Sequence, residues 1–416
     1  MKRVLFVSDY FTHGGLETRT LELVSFYKKH GIESFLVCDV LAPEHKAVFE
    51  DTLQLPLLDT SFYAIIQNTD ALVNFCKTNE IDMIDCQPWH CFIPAVLASG
   101  IQHLPISYTA HSIYSLPSID DILNPFFYSL LELKRPQCFV VSDFLMDYYR
   151  DKFVDCNTNV ARNGVSLSNL PKLKIGNSNK WAYASRLSPE KTKPLLDSLP
   201  IIERSGVKQL DIFGDGECKG QIEKYIAEHP EGSLKINLRG WCQDLQEELA
   251  PNGYTGFFGM DRAAIEAMAI GLPVVILGFN GFGPAVHEET FVSLLSQNFS
   301  SHDRTLSEEE VLRNIADVQK RPKKYNVEEL VKKYLDSDQL WDGYLNIVKN
   351  IPLDLGRDSM IEFWWEKFYK SVLLERAFSS KEEQVRDLNQ RIHELQDTYP
   401  QKLARKFRDI TRKTGD

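Results

Sequence analysis

Arg186 and Lys191 stand five residues apart in Ser185-Arg186-Leu187-Ser188-Pro189-Glu190-Lys191, directly after a short apolar run. A guanidinium forks across the oxygens of a diphosphate, and an ammonium acts on it as a point charge. The pair therefore suits a phosphate clamp, and it suits a solvated basic loop as well. Gly14-Gly15 separates the first apolar run from the first helical pattern. Glycines there let backbone N–H groups approach an anion or a sugar, and a helix N-terminus adds partial positive charge. An ordinary tight turn is the plainer account. Gly214 lies in a second glycine turn, Phe213-Gly214-Asp215-Gly216-Glu217, which is either beside a ligand or a plain loop. Arg262 and Glu266 are four apart and share a helical face. They form a surface ion pair, or they place a carboxylate on a ribose diol and a guanidinium near a phosphate. His111 closes the run Tyr108-Thr109-Ala110-His111, where a structural role and a binding role are both open.

These residues fall at the ends of short apolar segments, which must position them. Arg3–Ser8 is apolar and β-branched, as a strand buried on both faces requires. Leu16, Thr20, Leu21, Leu23, Val24 and Tyr27 then recur at helical spacing. Further strands are expected at Ser34–Cys38, Met83–Cys86, Ile106–Thr109 and Cys138–Val141, with helices between them. The polar stretch Pro171–Lys180 breaks the rhythm, and alternation restarts at Trp181–Ser185, Gln209–Phe213, Lys235–Leu238, Tyr254–Phe258 and Pro273–Leu277. The pattern predicts two doubly wound α/β domains, 1–170 and 171–355, with a ligand in the cleft where strands end.

Composition sets the outer bounds. The chain has 416 residues, 43% hydrophobic and 25% charged, with a net charge of −11. At roughly 150 residues per domain this fits two or three globular domains. The acidic balance argues against nucleic acid as a partner. No apolar run approaches the ~20 residues needed to span a bilayer, and no secretory leader is evident, so a cytoplasmic protein is expected. The eight cysteines contain no C-x-x-C pair, which suits reduced, buried thiols and no metal site.

The C-terminal part is different. Residues 356–378 are aromatic-rich, with Phe363, Trp364, Trp365, Phe368 and Tyr369. Within 379–416, and starting just before it, Phe378, Val385, Ile392 and Tyr399 recur every seventh residue with Leu388 and Leu395 between them. That spacing predicts a short coiled coil and a homodimer through 378–399, weakened by Lys381 and Lys402 at seam positions. Residues 401–413 carry six bases and one acid, with Leu403, Phe407 and Ile410 on one face. A peripheral contact with an anionic membrane is expected there, with a solvated terminus as the alternative.

In order, GGLE (14–17), YTAHS (108–112), ARNGVSLSNL (161–170), SRLSPEKTK (185–193), IFGDGE (212–217), LRGW (238–241) and IEAMAIGLPVV (265–275) resemble the retaining glycosyltransferases of family 4, with the GT-B fold. FWWEKFY (363–369) resembles their closing helix, which crosses back to the first domain. The resemblance implies a UDP- or GDP-linked sugar donor, a glycan or lipid-linked acceptor and no metal cofactor. It implies that Arg186 and Lys191 hold the donor diphosphate, Glu266 the ribose and Gly15 the phosphate side, with His111 near the transferred sugar. One departure stands out: the family usually carries a Glu eight residues before Glu266, and here that residue is Phe258. A pocket remodelled around the phenyl ring is expected, with Asp261 or Arg262 taking over the sugar contact. A hexosyltransferase of bacterial surface polysaccharide, lipopolysaccharide or cell-wall glycan assembly follows by analogy. A nucleotide-sugar epimerase on the same fold, or a catalytically weak partner subunit, are the alternatives.

Overall fold

The computed structural model describes residues 1–371, apart from 119, 154–155, 175, 177–178, 231 and 301–304, together with 381, 385–386 and 390. Two sheets, each flanked by helices, face one another. The first has seven parallel strands in the order Thr52–Gln54, Glu33–Leu41, Arg3–Phe11, Met83–Cys86, Ile106–Ala110, Gln137–Val140 and Thr158–Val160. Val4 to Val7 are all buried, because helices cover both faces of the sheet, and Leu5 registers with Phe35 and Ile84. Separate apolar clusters fill the two sides, one around Cys91–Ala98 and one around Phe6, Leu23 and Tyr27.

The second sheet runs Lys235–Gly240, Gln209–Phe213, Lys180–Ala184, Gly256–Gly259, Val274–Gly278 and Gly281–Ala285. Its last strand is antiparallel and contains two glycines and a proline. Both sheets place the carboxyl ends of their central strands toward the shared cleft, as open α/β sheets do where they bind ligands. This is the expected pair of doubly wound units.

The chain passes from the first unit to the second after Thr158–Val160 and begins its return at Val165 and Asp336, which form an isolated bridge. The helix Ser337–Lys349 then buries Trp341, Tyr344, Leu345 and Val348 in the first unit's core. A further helix over 355–371 follows. Its Ile361 and Trp365 enter the other cluster of that unit, and Trp364 packs 4.9 Å from Phe126. Over its described residues this helix packs on the first unit, and Ser337–Lys349 does so ahead of it. A Cβ on Gly100 would stand 2.8 Å from Ile361 Cβ, so that glycine admits the helix.

No disulfide joins any of the eight cysteines, and six of them are buried. Among the described residues, no helix is long and apolar enough to cross a membrane. The expected coiled coil at 378–399 lies outside the described residues except for 381, 385–386 and 390, and the basic tail at 401–413 lies wholly outside them.

Candidate functional site

The helix Gly15–Lys29 follows the first strand after a loop of three residues, so its free N–H groups open onto the cleft. Gly14 caps it, and a Cβ there would have to displace the Arg186 guanidinium and the Glu17 carboxylate, whose Oε2 would lie 2.6 Å away. Arg186 reaches across from the second unit. Its Nη2 donates to the His13 carbonyl at 2.9 Å and lies 3.5 Å from Glu17 Oε1. The Arg186 loop is laced to the next strand end, with Ser185 N donating to Phe213 O and Leu187 N to Asp215 O. Gly214 sits between them at φ 143, where a Cβ would strike the Ser185 carbonyl. This position requires glycine.

Arg262 and Glu266 lie on the helix Asp261–Ala269 and form an ion pair of 2.8 Å, with Arg262 buried and Glu266 partly so. Each of the three Arg262 nitrogens already donates: Nε to Glu266, Nη1 to the Gly164 carbonyl at 3.1 Å and Nη2 to Glu22 of the first unit. Burial pulls the guanidinium down, but Glu22 and Glu266 more than reverse this and raise it. Burial raises the Glu266 carboxyl, Arg262 opposes the rise and Glu22 adds to it. Together Gly14, Gly15, Arg186, Gly214, Arg262 and Glu266 line one interdomain cleft of about 730 Å³.

His111 and Asp261 line a second cavity of about 710 Å³. Lys191 lines neither cavity but points its Nζ 3.9 Å from Asp261 Oδ2, in the first turn of the helix Pro189–Arg204. Asp261 and Arg262 are adjacent, so the start of one helix joins the two cavities. Asp261 adopts a left-handed backbone, φ 52, and accepts a 3.0 Å hydrogen bond from Asn298. Burial, and then the positive charge of Arg19, lower His111 to about 3, so its ring is neutral near pH 7.

Phe258 corrects an expectation. It does not line the cleft. It is fully buried, stacked on Trp181 at 4.4 Å and edge-on to Phe282 at 5.6 Å. Successive strand residues face opposite sides, so Phe257 and Phe258 fill different cores of the second unit. The first acidic side chain after that strand is Asp261.

Several participants escaped the sequence reading. Glu22 bridges to Arg262, Glu17 holds Arg186, and Gln87 meets the His111 ring. His13 stacks on Trp241 at 4.0 Å and so closes the rim of the cleft between the units. His13, Glu44 and His45 are the one group of three metal-capable donors found among the described residues. His45 Nε2 there already lies 2.6 Å from the Thr12 carbonyl.

Residues 13–169 match the model of Glycosyltransferase Family 4. The structure is similar to a glycosyltransferase of Rickettsia africae, with 15% identity and a TM-score of 0.62 over 84% of this chain and 98% of that one. It is similar to Anabaena HepE in complex with UDP, with 17% identity and a TM-score of 0.60 over 84% and 100%. It is also similar to sucrose-phosphate synthase of Thermosynechococcus elongatus, with 14% identity and a TM-score of 0.61 over 84% and 98%. The chain has the GT-B fold. No curated protein matches it by sequence. Of the residues singled out by sequence, Gly14, Gly15, Arg186, Gly214, Arg262 and Glu266 line the cleft between the facing sheets.

Proposed function

We propose that the chain transfers a sugar from a nucleoside-diphosphate donor to a hydroxyl acceptor, with retention of anomeric configuration and without a metal ion. The observation that carries this reading is the convergence of Arg186, the Gly14–Gly15 helix start, Gly214 and Glu266 on one cleft, with His111 and Asp261 in the cavity beside it. The diphosphate would take Arg186 from the His13 carbonyl and Lys191 from its long contact with Asp261, and accept from the free N–H groups of the first helix. Glu266 would receive the ribose hydroxyls, and the transferred sugar would extend toward His111 and Asp261. Asp261 suits the sugar contact better than Arg262, because it lines the same cavity as His111.

In the transfer, the bond from the anomeric carbon to the diphosphate oxygen breaks, and its electron pair stays on the diphosphate. Arg186 and Lys191 stabilise that charge. The acceptor oxygen bonds to the same face of the anomeric carbon, and its proton passes to the departing phosphate. Losing one such cation should slow the step by about 10²–10³. A glycan or lipid-linked acceptor of a bacterial surface or cell-wall polymer fits this reading, with the 401–413 tail at an anionic membrane and 378–399 pairing two copies.

Protection from heat tests the donor class. A nucleotide sugar at 100 Kd should stabilise the chain by about 2.7 kcal/mol. UDP- and GDP-sugars that both leave the melting temperature unchanged would contradict the proposal.

A further inference from the structure

The imidazole of His111 is fixed from behind. Its Nε2 meets Gln87 Oε1, and Gln87 Nε2 donates to Thr20 Oγ1 at 3.2 Å. Thr20 Oγ1 lies 3.0 Å from the Leu16 carbonyl, one helical turn earlier. A carbonyl only accepts, so the single Thr20 hydroxyl proton points at it. The alternative would leave two oxygens facing each other at that distance with no proton between them. Thr20 therefore meets Gln87 as an acceptor. This turns the amide nitrogen toward Thr20 and Oε1 toward His111. Oε1 accepts as well, so His111 Nε2 carries the ring proton. Gln87 and Thr20 are both buried, which leaves no water to compete for these bonds. A backbone carbonyl of the first helix thus sets a tautomer three side chains away.

We propose that Gln87, held by Thr20, is a positioning residue that keeps His111 as the Nε2–H tautomer and so makes Nδ1 a hydrogen-bond acceptor for the ligand of the cavity His111 lines. The arrangement selects chemistry. An accepting nitrogen pairs with the O–H of a sugar and is opposed by a carboxylate or phosphate oxygen, which has no proton to give. The group seated against His111 is then a sugar hydroxyl, and a uronate that turned its carboxylate there would be opposed. The substrate half of this inference rests on the donor reading above, and the tautomer does not.

Nitrogen-15 NMR of the full chain labelled at histidine, at pH 7 and without substrate, reads the tautomer directly. His111 signals are identified by their loss in His111→Gln. The expected result is a proton on Nε2 and an unprotonated Nδ1. Thr20→Val, nearly the same shape, should free the amide and give a mixture of tautomers. Gln87→Glu should move the titration of His111 upward, because a carboxylate beside Nε2 favours the charged ring. A proton on Nδ1 in the unaltered chain, or variants whose His111 spectra and titration match it, would overturn the proposal. Calorimetry with a UDP-hexose against the matching UDP-uronate reads the substrate half, and the hexose should bind at least about tenfold tighter, a difference of about 1.4 kcal/mol. Equal binding overturns that half. If neither binds and no GDP-sugar binds either, the donor reading falls and the substrate half with it, while the tautomer result stands independently.

Discussion

Replacing Arg186 by alanine should separate phosphate binding from folding. Without ligand, Arg186 holds one carbonyl of the opposite unit at 2.9 Å and one carboxylate at 3.5 Å, with its side chain 52% exposed. An exposed pair of this kind contributes at most about 1 kcal/mol to stability. Against a diphosphate the same fork would make charge-assisted hydrogen bonds, each about 1.5–3 kcal/mol. Allowing for partial exposure, the net loss on truncation is about 2–3 kcal/mol, or roughly 30- to 150-fold in affinity. Isothermal titration with UDP and GDP measures that loss, and thermal unfolding of the same samples verifies the fold. Gly14→Ala offers an independent route to the same effect, since the added methyl group would push the guanidinium from its seat. If Arg186→Ala folds normally and binds the preferred nucleotide within threefold of the unaltered chain, the clamp assignment is wrong.

Arg262→Met should cost about 3 kcal/mol in urea unfolding, because it leaves the partly buried carboxylates of Glu22 and Glu266 without their buried cation. A change below about 1 kcal/mol would contradict the buried triad. Phe258→Glu places a carboxylate against Trp181 in the core and should destabilise by about 3 kcal/mol or more, with no gain in turnover. A more active variant would show that the residue faces the substrate after all. The pH dependence of stability has two opposed sources. His111, lowered to about 3, contributes stability above its ordinary value near 6.5 and loses it as pH falls toward 3. Asp85, raised by burial to about 6, contributes below about 4 and loses it as pH rises through 6. Between pH 4 and 6 each changes by roughly 1.4 kcal/mol per pH unit, in opposite senses, so these two contributions should nearly cancel. His111→Gln should unmask a rise in stability on acidification, and parallel curves for the two proteins would refute the assignment.

The sheets were legible because buried parallel strands read as continuous apolar runs, and Met83–Cys86 and Gln209–Phe213 were bounded to the residue. The antiparallel strand Gly281–Ala285 was not, since GFGPA lacks the side chains that mark a strand and is held by its neighbour. The short edge strands Thr52–Gln54 and Thr158–Val160 left no periodicity to read. Gly14, Gly15, Arg186 and Gly214 could be placed at strand ends and Glu266 on a helical face with Arg262, and the cleft gathers them. The side a residue faces was harder. In Phe257-Phe258 two aromatic neighbours hide the alternation, so a core residue looked like a pocket residue. Partners far apart in sequence were invisible: Glu22 with Arg262 is 240 residues apart, and Gln87 with His111 depends on two strands ending side by side.

The most direct test of the account is to watch the anomeric carbon. Proton NMR of the protein mixed with UDP- and GDP-sugars, read before mutarotation, follows both donor loss and the configuration of the sugar released to water or to a hydroxyl acceptor. The account predicts that one donor is consumed, that its nucleoside diphosphate appears in equal amount, and that the first-formed product keeps the donor's anomeric configuration. In Lys191→Ala the rate should fall by about 10²–10³. Inverted product, or no consumption of any donor by a folded chain, would contradict it.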